Sequence, residues 1–205
     1  WAWKKGRIKS LARDYTAVFP VLPFEHNLLI AGGVQSIYCG HPLLDTLSTN
    51  QDETTQQVPT KPVLALLPGS RKQELHKMLP VLLEVAKQFP EMEAVIAGAP
   101  GAADTLYIQA REAGVNVVFG QTRNLLKTAE FAVITSGTAT LEAALLNTPH
   151  VLVYKTSSLT YAIAKLLVKV RFIGLTNLIL NREVVPELIQ GRCTAGNIAK
   201  EIQSL

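Results

Sequence analysis

Two short stretches of this chain combine glycine, a hydroxyl residue and a charge in the way that phosphate chemistry requires. The first is Pro68-Gly69-Ser70-Arg71, which follows the apolar run Val63–Leu67. Ser70 and Gln73 have capping-box spacing, which predicts a helix whose first residue is Arg71. A cation at that position opposes the helix dipole at about 0.3–1 kcal/mol, a placement that makes sense if an anion lies between them. A surface arginine without a role is the alternative. The second stretch is Phe131–Pro149, FAVITSGTATLEAALLNTP. Phe131–Thr135 reads as a strand, Ser136–Ala139 as a turn of small residues, and Leu141–Leu146 as helix. Such a turn aims the helix's unpaired N–H groups beyond the strand end, where a phosphate or diphosphate fits. With Thr138 as N-cap, Glu142 falls one position past the capping-box site. Its carboxylate then either accepts the hydroxyls of a ribose or is a solvated residue favoured near a helix N-terminus. A third loop, Gly120-Gln121-Thr122, offers backbone groups to a nucleobase edge or is an ordinary turn.

Stepping outward, the chain must place these loops side by side. Val63–Leu67, Met92–Ala97, Val115–Phe119, Phe131–Thr135 and His150–Tyr154 read as strands, the last closing the series. Between them, Gln73–Phe89, Ala102–Ala113 and Thr122–Ala129 read as helices, with Pro80 bending or restarting the first. Short apolar strands alternating with helices predict an α/β, doubly wound parallel sheet. Ligands then sit at the C-terminal strand edge, where all three loops lie.

Before this region, Trp1–Tyr15 reads as a basic, partly amphipathic helix. Ala17–Leu22 and Gln35–Cys39 read as short strands flanking a helix over Phe24–Ala31 that Gly32–Gly33 closes. Asp45–Pro59 is polar, free of aromatics and reads as a linker. After the last strand, Ser158–Gly174 is an apolar helix candidate carrying Lys165, Lys169 and Arg171. It either packs into a core or lies at a membrane surface with its lysines reaching out.

Composition narrows the function classes. The chain has 205 residues, 48% apolar and 18% charged, with a formal charge of +4. That describes a core-forming protein suited to anionic partners. Two cysteines and four scattered histidines show no metal spacing, so neither a disulfide scaffold nor a zinc site is expected. No GxGxxG, GxxxxGK[ST] or GxSxG motif occurs, which removes the main support for a dinucleotide dehydrogenase, a P-loop NTPase or an α/β-hydrolase. No signal peptide or uncharged run of transmembrane length is visible. Basic residues are not interleaved with a stacking platform, which disfavours nucleic acid. The opening WAWKKGR lacks an initiator Met, and Ile202–Leu205 ends within a helical pattern, so a fragment is expected.

LLPGSRKQEL (Leu66–Leu75), TSGTATLEAAL (Thr135–Leu145) and LTNLILNREVVPELIQ (Leu175–Gln190) occur in that order, with WAWKKGRIK and GHPLLD (Gly40–Asp45) before them. From Trp1 to about residue 195 the chain resembles lipid-A-disaccharide synthases. The resemblance implies a GT-B fold of two Rossmann-like domains. Residues 1–45 would be the tail of the acceptor domain, 46–60 a linker and 61–205 the nucleotide-sugar domain. It implies an inverting transfer of 2,3-diacylglucosamine from its UDP conjugate to 2,3-diacylglucosamine 1-phosphate, without cofactor or metal. Gly69, Ser70, Arg71, Gly120, Gln121, Gly137, Thr138, Ala139 and Glu142 would hold the UDP-sugar, and Arg71, Asn177 and Arg182 would act on the reaction. Asn177 and Arg182 rest on the resemblance alone. The general base would lie in the acceptor domain, and this stretch would be inactive by itself. A peripheral position on the inner face of a Gram-negative-type inner membrane is implied, and a homodimer is compatible with it. Two other readings remain: a UDP-sugar 2-epimerase or peptidoglycan-type glycosyltransferase of the same fold, and a non-catalytic UDP-sugar-binding half that needs a partner chain.

Overall fold

The computed structural model describes residues 6–49, 60–157, 160–161 and 171–205, and the chain divides into two compact units. Within the first, the described residues form helices α1 (Arg7–Asp14), α2 (Pro23–Ala31) and α3 (Pro42–Thr49). Pro23 opens α2 with its φ preset and no N–H to satisfy, and Gly32 ends it. The two strands expected here reduce to a single parallel bridge, Val18 to Ser36. Phe19, Val21, Ile37 and Tyr38 around it are exposed, so no buried face extends the pairing. The expected linker is helical through Thr49. His41 starts that helix by accepting a hydrogen bond from Leu43 N–H at 3.1 Å. Residues 50–59 lie outside the described residues.

The second unit is built on a sheet of β1 (Val63–Leu67), β2 (Glu93–Gly98), β3 (Asn116–Phe119), β4 (Ala129–Thr135), β5 (His150–Tyr154) and β6 (Glu187–Ile189). All pairings are parallel, in the order β3-β2-β1-β4-β5-β6. Its helices are α4 (Lys72–Ala86), α5 (Ile108–Glu112), α6 (Thr122–Thr128), α7 (Thr138–Leu145), α8 (Leu175–Leu180) and α9 (Ala195–Ile202). The expected Rossmann-like sheet is therefore present.

Strand β1 shows why its sequence is apolar throughout. Leu64 and Leu66 pack on one face with Leu75, Met78 and Leu82 of α4 and Ile198 of α9. Val63, Ala65 and Leu67 pack on the other with Leu125 and Leu126 of α6 and Ala143 of α7. A strand covered on both sides has no solvent face to mark with polar residues.

Three expectations are corrected. β5 is followed by a sixth strand, which pairs Leu152 to Glu187 through Tyr154 to Ile189. The helix expected over Ala102–Ala113 is a 3-10 turn (Asp104–Tyr107) followed by the short α5. Tyr107 is fully buried, and its hydroxyl accepts from Ala99 N–H at 2.8 Å, tying that turn to the end of β2. Pro80 lies inside α4 without dividing it.

Candidate functional site

The sheet order reverses between β1 and β4, so the chains leaving these two strands diverge and open a crevice at their C-terminal ends. The loops that leave them are Pro68–Arg71 and Ser136–Gly137. Gly69 faces the end of β4: a Cβ added to it would stand 3.3 Å from Cγ2 of Thr135, the residue before Ser136, and 2.8 Å from Oε2 of Glu74. Gly69 also adopts φ +98°, a conformation that L side chains rarely take. The first expected phosphate loop thus needs its glycine twice over.

Helix α4 begins at Lys72 with Arg71 as N-cap, one residue later than capping by Ser70 predicts. Glu74 performs the reciprocal contact expected of Gln73. Its Oε2 accepts from Arg71 N–H at 3.3 Å and its Oε1 from Arg71 Nη1 at 2.8 Å. A carboxylate is favoured there by the helix dipole as well as by the orphan N–H. Glu74 is buried, whereas the Arg71 side chain is 79% exposed. The pair therefore steers the arginine while leaving its charge accessible. Arg71 also lines a groove of about 1240 Å³ along α4, whose lining includes Tyr154 at the end of β5 and Lys155, Thr156 and Ser157 after it.

Gly137, in extended conformation, is the N-cap of α7, and Thr138 is its first residue; the expected Thr138 cap is corrected. Thr140 Oγ1 turns back to donate to Gly137 O at 2.8 Å, and Ser136 N–H donates to Val153 O at 3.1 Å. The amides of Thr138 and Ala139 lie in the first turn, where no intrahelical acceptor exists. Beside this turn, the buried Thr135 hydroxyl finds no hydrogen-bond partner among the described residues.

Glu142 is not a solvated helix residue. Its side chain is 16% exposed, and Oε1 accepts from Nε of Arg123 on α6 at 2.8 Å. Sequence reading missed Arg123, although the signal that singled out Arg71, a cation in a helix's first turn, is repeated there. Gly120 and Gln121 precede it on the surface. Gly120 has φ +69°, and Gln121 is the N-cap of α6.

Asn177 on α8 is fully buried and internally satisfied. Its Nδ2 donates to Val185 O (2.7 Å) and Glu187 Oε1 (2.9 Å), while Oδ1 accepts from Val184 N–H (2.9 Å) and Val185 N–H (3.0 Å). An amide has two donors and two acceptor positions, so all are used. Glu187 was also missed. Its carboxylate takes up the N–H groups of Ile173 and Gly174 at 2.9 and 3.0 Å, at the start of α8. This network secures the loop that carries Arg182, which is exposed. Beyond it, the Gln190 amide grips Thr156, accepting from its N–H at 2.8 Å and donating to its carbonyl at 3.3 Å.

The structure thus sets Gly69 against the C-terminal end of β4 and ties Glu142 to the α6 side. Asn177 meets the 184–187 segment instead, and no described contact brings Arg182 to the crevice. Among the described residues no cluster of three or more His, Cys, Asp or Glu has the geometry to hold a metal ion.

Comparison with known proteins agrees with this fold. The UDP-GlcNAc 2-epimerase of Methanocaldococcus jannaschii, solved with UDP-GlcNAc and UDP, superposes with a TM-score of 0.58 at 13% identity. It covers 92% of this chain and 54% of the epimerase. Staphylococcus aureus TarM superposes at 0.53 with 12% identity, over 98% of this chain and 39% of its own. Likeness at these identities is one of fold. Sequence relatives are much nearer. The lipid-A-disaccharide synthase of Syntrophus aciditrophicus is 38% identical over 218 residues, covering 100% of this chain and 57% of the relative. That of Myxococcus xanthus is 36% identical over 216 residues, covering 99% and 56%. The chain therefore spans little more than half the length of the curated relatives it matches. The lipid-A-disaccharide synthetase family model matches residues 1–205. With every expected motif falling inside that match, the chain belongs to the lipid-A-disaccharide synthase family.

Proposed function

We propose that this chain carries the donor-binding part of an inverting hexosyltransferase. The reaction moves 2,3-diacylglucosamine from its UDP conjugate to 2,3-diacylglucosamine 1-phosphate and releases UDP. The observation that carries this reading is the crevice between β1 and β4, where Gly69 faces the end of β4 so closely that an added Cβ would stand 3.3 Å from Thr135 Cγ2, in a member of this family. As the bond from sugar to UDP breaks, negative charge gathers on the β-phosphate. In our reading, Arg71, Ser70 and the first-turn amides of α7 receive that charge, which requires no metal. Glu142 accepts the ribose hydroxyls and the Gly120–Gln121 backbone faces the base. Arg182 supplies a second cation near the donor, and Asn177 acts by holding the loop that presents it.

The acceptor hydroxyl must also lose a proton. We assign that base to the part of the relatives that this chain does not span. Residues 1–45 are taken as the tail of the acceptor domain, 46–60 as the connection and 61–205 as the donor domain. Both substrates bear acyl chains, so the reaction is placed at the inner face of the inner membrane, with peripheral attachment. No helix of the described residues is long and apolar enough to cross a membrane.

Calorimetric titration of the 205-residue chain with UDP in chelator-treated buffer tests the donor site. Binding without divalent cation is expected. Binding that appears only with Mg²⁺ or Mn²⁺ would overturn the charge assignment.

A further inference from the structure

We propose that Arg123 is a positioning residue for nucleoside recognition: it holds the Glu142 carboxylate in the orientation that accepts the ribose hydroxyls. This rests on the reading of the crevice as a UDP site. Ion pairs such as Arg111 with Asp104 or Lys87 with Glu84 join residues close in sequence. Arg123 and Glu142 lie 19 positions apart, on α6 and α7, and are 28% and 16% exposed. Joining the two helices does not require this pair, because Leu125, Leu126 and Ala143 already meet in one apolar cluster. The distinct contribution of the pair is to fix a carboxylate just beyond the first turn of α7. A glutamate there has three side-chain torsions, whose freedom a ligand must otherwise remove on binding. A carboxylate offers about four acceptor positions, so the contact from Arg123 Nε leaves capacity for two hydroxyls.

The test compares UDP with 2′-deoxy-UDP by calorimetry on the 205-residue chain. The parent should favour UDP by about tenfold or more, the equivalent of one hydrogen bond to a charged acceptor. Arg123→Ala should bring that ratio towards one while changing 2′-deoxy-UDP affinity by less than about threefold. Glu142→Gln should collapse the ratio likewise, and the double variant should lose no more than either single one. Arg123→Lys keeps the charge but not the Nε geometry, and should lose part of the preference even if Arg123→Ala does not fold. An undiminished ratio in Arg123→Lys and in any folded Arg123→Ala overturns the inference, even if thermal stability falls. In that outcome the UDP site itself stands. A parent chain that binds no UDP instead overturns both.

Discussion

Replacing Asn177 by alanine should destabilise the sheet unit strongly, and the structure allows the size to be worked out. Four hydrogen bonds disappear together. Two of their losses are repaired cheaply. Val184 is 41% exposed, so its N–H can turn to water, and Glu187 Oε1 keeps the Gly174 N–H at 3.0 Å. The N–H and C=O of Val185 are left, in a residue that is 8% exposed. Each stranded buried group costs about 1–3 kcal/mol, and the vacated amide adds a cavity contribution. A loss of about 3–5 kcal/mol is expected. Equilibrium urea unfolding measures it, and hydrogen exchange at Val184 and Val185 should quicken. Asn177→Asp should be no better tolerated, despite its matching volume, because it sets a second carboxylate against Glu187 where Nδ2 now donates at 2.9 Å. A loss under about 1 kcal/mol for Asn177→Ala would refute the accounting. If UDP binding failed in such a stable variant, Asn177 would be a direct donor contact.

Other expectations can be checked in the same preparations. Arg71→Ala should weaken UDP by about 1.5–3 kcal/mol and uridine far less, since the proposed contact is to phosphate. Equal losses on the two ligands would remove Arg71 from the phosphate site. Burial lowers the pKa of His150, although its Nδ1–H donates to the Thr148 carbonyl at 2.9 Å and works against that shift. The unfolded chain therefore takes up a proton near the ordinary value of about 6.5 while the folded one resists. Stability is complete above that pH, falls as pH drops through it, and levels off below the folded pKa. His150→Leu should flatten this part of the profile when urea midpoints at about pH 8 and pH 5 are compared with the parent. Replacing Lys165, Lys169 and Arg171 by Gln should release the chain from anionic vesicles in co-sedimentation. Each basic residue contributes on the order of 1 kcal/mol near such a surface. Undiminished sedimentation would move the membrane contact elsewhere; Lys165 and Lys169 lie outside the described residues.

Much of the architecture was legible because its determinants are local. β1 and β5 run over the residues that their apolar runs predict, since both faces of these strands are covered. The positions of the two candidate loops at strand ends were also legible, as glycine, hydroxyl residue and charge follow an apolar strand within a few positions. β6 was not. Its three residues begin with Glu187 after Pro186, and they become a strand because the edge of β5 offers backbone partners. The helix start at Lys72 depended on whether Gln73 or Glu74 turned back to the N-cap, one residue's difference that spacing alone left open.

Among the candidate site residues, sequence alone picked out Arg71, the Gly137 turn and Glu142 as a group suited to a diphosphate and ribose. Asn177 and Arg182 came from family resemblance, and Arg123, Glu187 and Gln190 from neither. Tertiary structure decided that Asn177 saturates its amide against the segment leading into β6, and that Glu142 meets Arg123 rather than water. The reason is the reach of the forces that each kind of signal records. Helix periodicity, capping and turn preference act over one turn or one strand, so they are written into neighbouring residues. The meeting of residues 19 positions apart follows from the order β3-β2-β1-β4-β5-β6, which many side chains establish together and no short stretch encodes.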